Sequence, residues 1–215
     1  MASMTDELID RLTGDLRPAR QGVVPGRLLL GLAAGSVVAL VWVVLGLGLR
    51  PDFPGALSTQ MFWIKLAYVT ALGGVSIWAL DRLSRPAASS RGRLIWLTAP
   101  VVAIAMMSMV QLGPASSPER IALVMGHSAK MCPLLILATA APIFAALVWA
   151  LRGLAPTRPR LTGAVTGLAA GGMGAALYAL HCPESGAAFV AIWYGLGILA
   201  ASGAGALLGP RVLRW

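Results

Sequence analysis

The chain has 215 residues, 58% of them hydrophobic and 12% charged, with a mean hydropathy of +0.79 and a net charge of +9. A soluble domain carries about 25% charged residues, so this composition excludes one and indicates an integral membrane protein. The apolar stretches are continuous, without the alternation of a membrane barrel, which leaves an all-α protein of transmembrane helices.

In chain order, the first element precedes any span. Residues 5–16, TDELIDRLTGDL, open with a cap at Thr5 and an acidic first turn, and they place Leu8, Leu12 and Leu16 four apart with Ile9 beside them. That spacing predicts a short amphipathic helix ended by Gly14 or Pro18. Isolated helices of this length are marginal in water, so the apolar stripe needs a surface. A helix lying on lipid is rich in Lys and Arg, whereas Asp6, Glu7, Asp10 and Asp15 here face only Arg11, which favours a protein partner. Met4 is an alternative start.

Six stretches then reach the roughly 20 apolar residues that a bilayer requires: Leu28–Leu49, Phe62–Leu80, Leu94–Leu112, Cys132–Leu151, Leu161–Cys182 and Ala188–Leu208. Pro- and Gly-containing turns separate them, as at 50–54 and 182–186. The first lies behind a charged leader and is long enough to remain as an anchor, unlike a signal peptide. Residues 1–27 are therefore read as a cytoplasmic segment and 28–215 as a six-helix membrane domain.

The basic residues alternate with the spans. One side holds 13 of the 17, at Arg11, Arg17, Arg20 and Arg27, then Arg82, Arg85, Arg91 and Arg93, then Arg152, Arg158, Arg160, Arg211 and Arg214. The other side holds Arg50, Lys65, Arg120 and Lys130. Because Lys and Arg stay on the cytoplasmic side, both termini are expected there. The arginines flank spans and form no stripe with interleaved aromatics, so no direct nucleic-acid partner is expected; the bilayer is the surrounding.

Small residues recur every four positions at Gly163, Gly167, Gly171 and Ala175, and again at Gly31, Gly35 and Ala39, as expected of tightly packed helix contacts. Pro100 and Pro142 are expected to kink their spans. The tryptophans fall mostly near span ends as interfacial anchors. The cluster Met106, Met107 and Met109 reads as packing rather than copper ligation.

Only two cysteines occur, Cys132 and Cys182, each followed by proline. Counted outward from Arg152 and Arg160, they lie 20 and 22 residues away, about 30 and 33 Å at 1.5 Å per residue, so both thiols are expected at one level of the outer surface. A disulfide needs Cα atoms within about 7 Å, which two packed helices allow if these faces meet. The only histidines, His127 and His181, fall in the same patch with Glu184, and together these residues could supply ligands to a metal. Three readings stand side by side: a thiol-based sensor, a metal site, and ordinary buried cysteines with interfacial histidines. Lys130, two residues from Cys132, is positioned to favour a thiolate. No catalytic residue is expected.

The leader TDELID at 5–10, LRPD at 49–52, FWIK at 62–65, GHS at 126–128 with Cys132, APTR at 155–158, LYALHCPE at 177–184 and WYG at 193–195 resemble the NrsF-like family, negative regulators of sigma F. The resemblance implies a six-span anti-sigma factor of the bacterial inner membrane. Its N-terminal segment would hold an extracytoplasmic-function sigma factor, here by Leu8, Ile9, Leu12 and Leu16. Its periplasmic cysteine pair, here Cys132 and Cys182, would be tied to release of that factor under oxidative or heavy-metal stress, with no resident cofactor and at most a transient thiophilic metal ion. Two other classes compete. A membrane thiol oxidoreductase would ordinarily carry a Cys-x-x-Cys pair, and a transporter would place ionisable groups at the bilayer midplane; neither feature is present.

Overall fold

The computed structural model describes residues 2–14, 23–85, 91–152, 154 and 156–213, and every regular element among them is helical. Helix α1 (Ala2–Gly14) comes first. Six helices long and apolar enough to cross a membrane follow: α2 (Val23–Leu47), α3 (Gln60–Leu83), α4 (Gly92–Leu112), and, after the short α5 (Ser117–Met125), α6 (Cys132–Leu151), α7 (Pro159–Tyr178) and α8 (Ala187–Val212). The chain is thus the expected multi-pass, all-helical membrane protein.

Three boundaries differ from expectation for local reasons. Helix α1 starts at Ala2, so Thr5 lies inside it rather than capping it. Helix α2 reaches back to Val23, since Pro25 in the first turn forfeits only a backbone N–H that would have no helical partner. Helix α7 stops at Tyr178, short of Cys182. There Leu180 N–H bonds to Leu177 O and His181 N–H to Tyr178 O, tightening the last turn, while Pro183 disfavours helical geometry at Cys182.

The centre of the bundle is α7, of which 72% is buried, whereas α4 at 11% is peripheral. Helices α3, α6 and α8 pack around α7, and α2 lies on α6. The small-residue ridge explains this placement: Gly163 and Gly167 abut Gly205, Gly209 and Ala201 of α8 with no room for a side chain. Two glycines outside the ridge seat the other neighbours. A Cβ at Gly172 would stand 2.6 Å from Gly73 N of α3, and one at Gly174 would stand 2.9 Å from Ala140 of α6. The second small stripe behaves alike, since a Cβ at Gly35 would meet Ile143 Cα at 2.6 Å. In lipid, apolar side chains gain nothing from leaving the solvent, so close backbone approach of this kind is what holds helices together.

The outward faces carry the large apolar residues, among them Leu45, Trp96, Met106, Met109 and Leu207. This inverted pattern fits a lipid surround and leaves no copper-like methionine cluster, because Met107 alone of the three turns to the core. Pro100 cannot donate to the Trp96 carbonyl, and the helix just upstream, Ile95–Leu97, narrows to a 3₁₀ turn. At the end of the bundle where α3 and α6 finish, Asp81 pairs with Arg85 and Arg93, and Arg93 stacks on Trp78 at 4.3 Å.

Candidate functional site

At the opposite end, residues 179–186 form a strap joining α7 to α8, and two cations from elsewhere in the chain hold it. Lys65 of α3 donates to the carbonyls of Cys182 at 2.9 Å and Glu184 at 3.0 Å. Arg50, in the turn between α2 and α3, reaches the carbonyls of Cys182 and Pro183, and its own N–H bonds to Leu180 O at 3.0 Å. Arg50 is in turn held by both carboxylate oxygens of Asp52 at 2.7 Å. That bidentate pairing keeps the guanidinium charged and holds the Asp52 carboxyl below its usual range.

The strap is tied to the other cysteine through Glu184. Its Oε1 accepts from His127 N at 2.7 Å, Ser128 N at 3.2 Å and Ser128 Oγ at 3.3 Å. These groups belong to the turn that leads from Gly126 into α6, where Cys132 is the first residue. Gly126 has φ of +50°, and a Cβ there would strike the Glu184 carboxylate, so glycine is needed twice over.

Cys132 and Cys182 are both free thiols and both buried, 0% and 1% exposed, in one apolar cluster with Tyr178 and Tyr194. The two thiols thus meet in one cluster, enclosed by protein beneath the strap rather than open to solvent. The Cys132 thiol, close enough to hydrogen-bond, holds the Cys182 thiol below its ordinary value, and the Lys65 ammonium adds to this against the cost of burial. Ser128 Oγ lies 4.0 Å from Cys182 Sγ. Tyr194 sits in a π-helical segment of α8, Val190–Tyr194, and its buried hydroxyl has no hydrogen-bond partner among the described residues.

The histidines do not join the thiols. The His127 imidazole is fully exposed and approaches only Glu184 Oε1, at 3.9 Å, while His181 Nδ1 is engaged by Gly48 O at 2.8 Å. Glu184 spends its carboxylate on backbone N–H groups. Among the described residues no group of three His, Cys, Asp or Glu is placed to hold a metal ion, so Cys132, Cys182, His127, His181 and Glu184 do not come together as a ligand set. Lys130 is exposed; the cation beside the thiols is Lys65, whose position just inside a span was the available signal.

In α1, Leu8, Ile9 and Leu12 are exposed by 56%, 50% and 64%, an apolar stripe beside Asp6, Glu7 and Asp10. Leu16 lies outside the described residues. A further element went unread in the sequence: α5 begins with a capping box in which Ser116 and Glu119 bond reciprocally, a Ser-x-x-Glu signal visible at 116–119.

Residues 12–215 match the family described as Negative regulator of sigma F. The chain is 42% identical over 216 residues to Anti-sigma-F factor NrsF of Caulobacter vibrioides (strain NA1000 / CB15N), covering 98% of this chain and 99% of that protein. It is 39% identical over 211 residues to Probable anti-sigma-F factor NrsF of Azospira oryzae (strain ATCC BAA-33 / DSM 13638 / PS), covering 98% and 99%. No solved structure matches. With the family match and both relatives spanning nearly the whole chain, this protein belongs to the NrsF family, negative regulators of sigma F.

Proposed function

We propose that the protein is an inner-membrane anti-sigma factor that holds an extracytoplasmic-function sigma factor through α1 and releases it when Cys132 and Cys182 are oxidised to a disulfide. The observation that carries the binding half is the stripe of Leu8, Ile9 and Leu12, which stands exposed on a helix with an acidic flank. An amphipathic helix laid into a groove of its partner buries such a stripe, and Leu16, four residues after Leu12 in the sequence, is proposed to bind with it. The family is regulatory by description, and its relative in Caulobacter vibrioides is named an anti-sigma-F factor.

The basic residues support an arrangement with both termini cytoplasmic, because most of them cluster at the bundle end that α1 precedes. In that orientation the strap and the thiol pair face the periplasm, where disulfides persist. The pair sits between α6 and α7, so a covalent bond there biases the packing of two helices whose far ends lie on the cytoplasmic side. A thousandfold loss of partner affinity requires about 4 kcal/mol of coupling between the two ends. Residues 1–27 act as the partner-binding segment and 28–215 as the anchor and sensor.

Affinity purification of the tagged protein from membranes, with and without hydrogen peroxide, tests this. A sigma factor is expected to co-purify from untreated membranes, to be lost after oxidant, and to be retained after oxidant in Cys132→Ser or Cys182→Ser. Absence of a sigma factor from untreated membranes overturns the binding half. Oxidant release that survives either substitution overturns the sensing half, and release by cadmium without release by peroxide replaces oxidation with metal capture.

A further inference from the structure

An ammonium buried in a membrane-spanning helix is costly and marks a functional position by default. Lys65 is 1% exposed, and among the described residues no carboxylate lies within ion-pair distance of it. Its partners are neutral: the Cys182 and Glu184 carbonyls, and the Tyr194 ring, 5.5 Å from Nζ. Carbonyls solvate an ammonium without neutralising it. The acids that share its pocket are the thiols.

We propose that Lys65 is a positioning residue of the thiol pair: its ammonium is the fixed counter-ion of a Cys182 thiolate, which makes Cys182 the attacking thiol and Cys132 the resolving one. The assignment rests on the sensing half of the function proposed above. Three contacts favour Cys182 over Cys132. Lys65 is bonded to the carbonyl of Cys182 itself, so the charge and the thiol move together. Arg50 reaches the same carbonyl at 3.5 Å. The unpartnered Tyr194 hydroxyl lies next to the Cys182 thiol, where a thiolate gives a buried O–H the acceptor it lacks.

The remaining groups do not oppose this. On the strap, His181 is turned to Gly48 O and the Glu184 carboxylate to the 127–128 N–H groups. Cys132 opens α6, where the helix N-terminus favours a thiolate, but its own N–H is bonded to Ser128 O at 2.9 Å and Pro133 has none to give, so neither of these N–H groups is free for the thiol. Of the other titratable neighbours, Cys132 enters as a hydrogen-bond donor to Cys182, and Tyr178 lies against both thiols and favours neither.

With hydrogen peroxide as oxidant, the Cys182 thiolate attacks one peroxide oxygen; the S–O bond forms, the O–O bond breaks, and hydroxide leaves. That hydroxide takes the Cys132 proton and becomes water. The Cys132 thiolate then attacks the sulfenic sulfur, forming the S–S bond and breaking S–O, with a second hydroxide leaving. The two thiol groups lose two electrons and the peroxide gains them.

The test is the pH profile of iodoacetamide alkylation on purified full-length protein in detergent. In Cys132→Ser, which keeps a hydroxyl donor beside Cys182, the midpoint is expected below the ordinary thiol value of about 8.5. Adding Lys65→Met is expected to raise the midpoint by about one pH unit, a tenfold slower reaction at pH values below both midpoints, while Lys65→Arg restores it. A merely structural Lys65 would change access and scale the rate equally at every pH. An unchanged midpoint in Lys65→Met overturns the proposal. If that variant does not accumulate, Cys132→Ser and Cys182→Ser decide with Lys65 intact: Cys182 must react faster at neutral pH, and the reverse order overturns the assignment. Retention of the sigma factor after oxidation would refute the sensing half and leave this titration standing.

Discussion

The two ends of the molecule handle polarity in opposite ways. At the strap end, cations and a carboxylate are buried or half-buried and committed to backbone groups far away in sequence: Lys65 to Cys182, Arg50 to Pro183, Glu184 to Ser128. At the other end, Asp81 pairs with Arg85 four residues on and with Arg93 of α4, and beyond it α1 leaves both its apolar stripe and its acids exposed. Long-range bonds between buried groups define one geometry, because each unmade bond costs a desolvation penalty. An uncovered stripe on α1 defines none. The strap end is preorganised around its thiols, and the α1 end is left for a partner to complete.

Leu12→Asp is the most direct attack on that contrast. It should weaken sigma-factor binding by about 30-fold, the roughly 2 kcal/mol of a buried interface anchor, measured by titrating labelled sigma factor onto reconstituted protein. The same substitution should leave the melting temperature unchanged, since the side chain is exposed. A lowered melting temperature would mean that α1 packs on the bundle, and the two ends would no longer differ as described.

Glu184→Gln probes the strap end with a smaller effect. The amide oxygen still accepts a hydrogen bond but loses charge assistance, for about 1 kcal/mol and a melting temperature lower by about 2 to 4 °C. Cys182 alkylation should accelerate at all pH values as the roof loosens, with sigma binding in reduced protein unchanged. Equal alkylation rates would show that Glu184 does not close the strap.

Asp52→Asn should have the smallest effect, because Asp52 is exposed and Arg50 keeps its carbonyl contacts. The Asp52 carboxyl is held below its ordinary value by the Arg50 hydrogen bonds, so whatever stability it lends is present above the ordinary carboxylate pKa of about 3.9 and is lost as pH falls through the depressed folded value. Melting curves of the two proteins should differ slightly near neutral pH and converge as the pH falls below the depressed folded value. A gap that persists there would assign the effect to packing rather than charge.

The cysteines show how far spacing alone reaches. Counting along two helices placed Cys132 and Cys182 at one depth, and they share one cluster. The same count could not show that they are enclosed, because a hydropathy run ending at Cys182 looks like a helix ending there, whereas the helix stops at Tyr178 and a tightened turn carries the chain into the strap. The histidines mislead in the same way. Proximity in sequence to a thiol says nothing of which way a ring points, and His181 turns to Gly48.

What the sequence alone determined is whatever depends on one segment at a time. Six spans follow from the length of each apolar run, the small-residue ridge from a four-residue period, and the α1 stripe from its own spacing. Tertiary structure decided which distant groups meet: that Lys65 rather than Lys130 lies beside the thiols, that Glu184 latches the turn before Cys132, and that Gly172 and Gly174 seat α3 and α6 on α7. The physical reason is that a span's length is a local transfer free energy, summed residue by residue, whereas burial of a charge is repaid only by partners that helix packing brings from elsewhere in the chain.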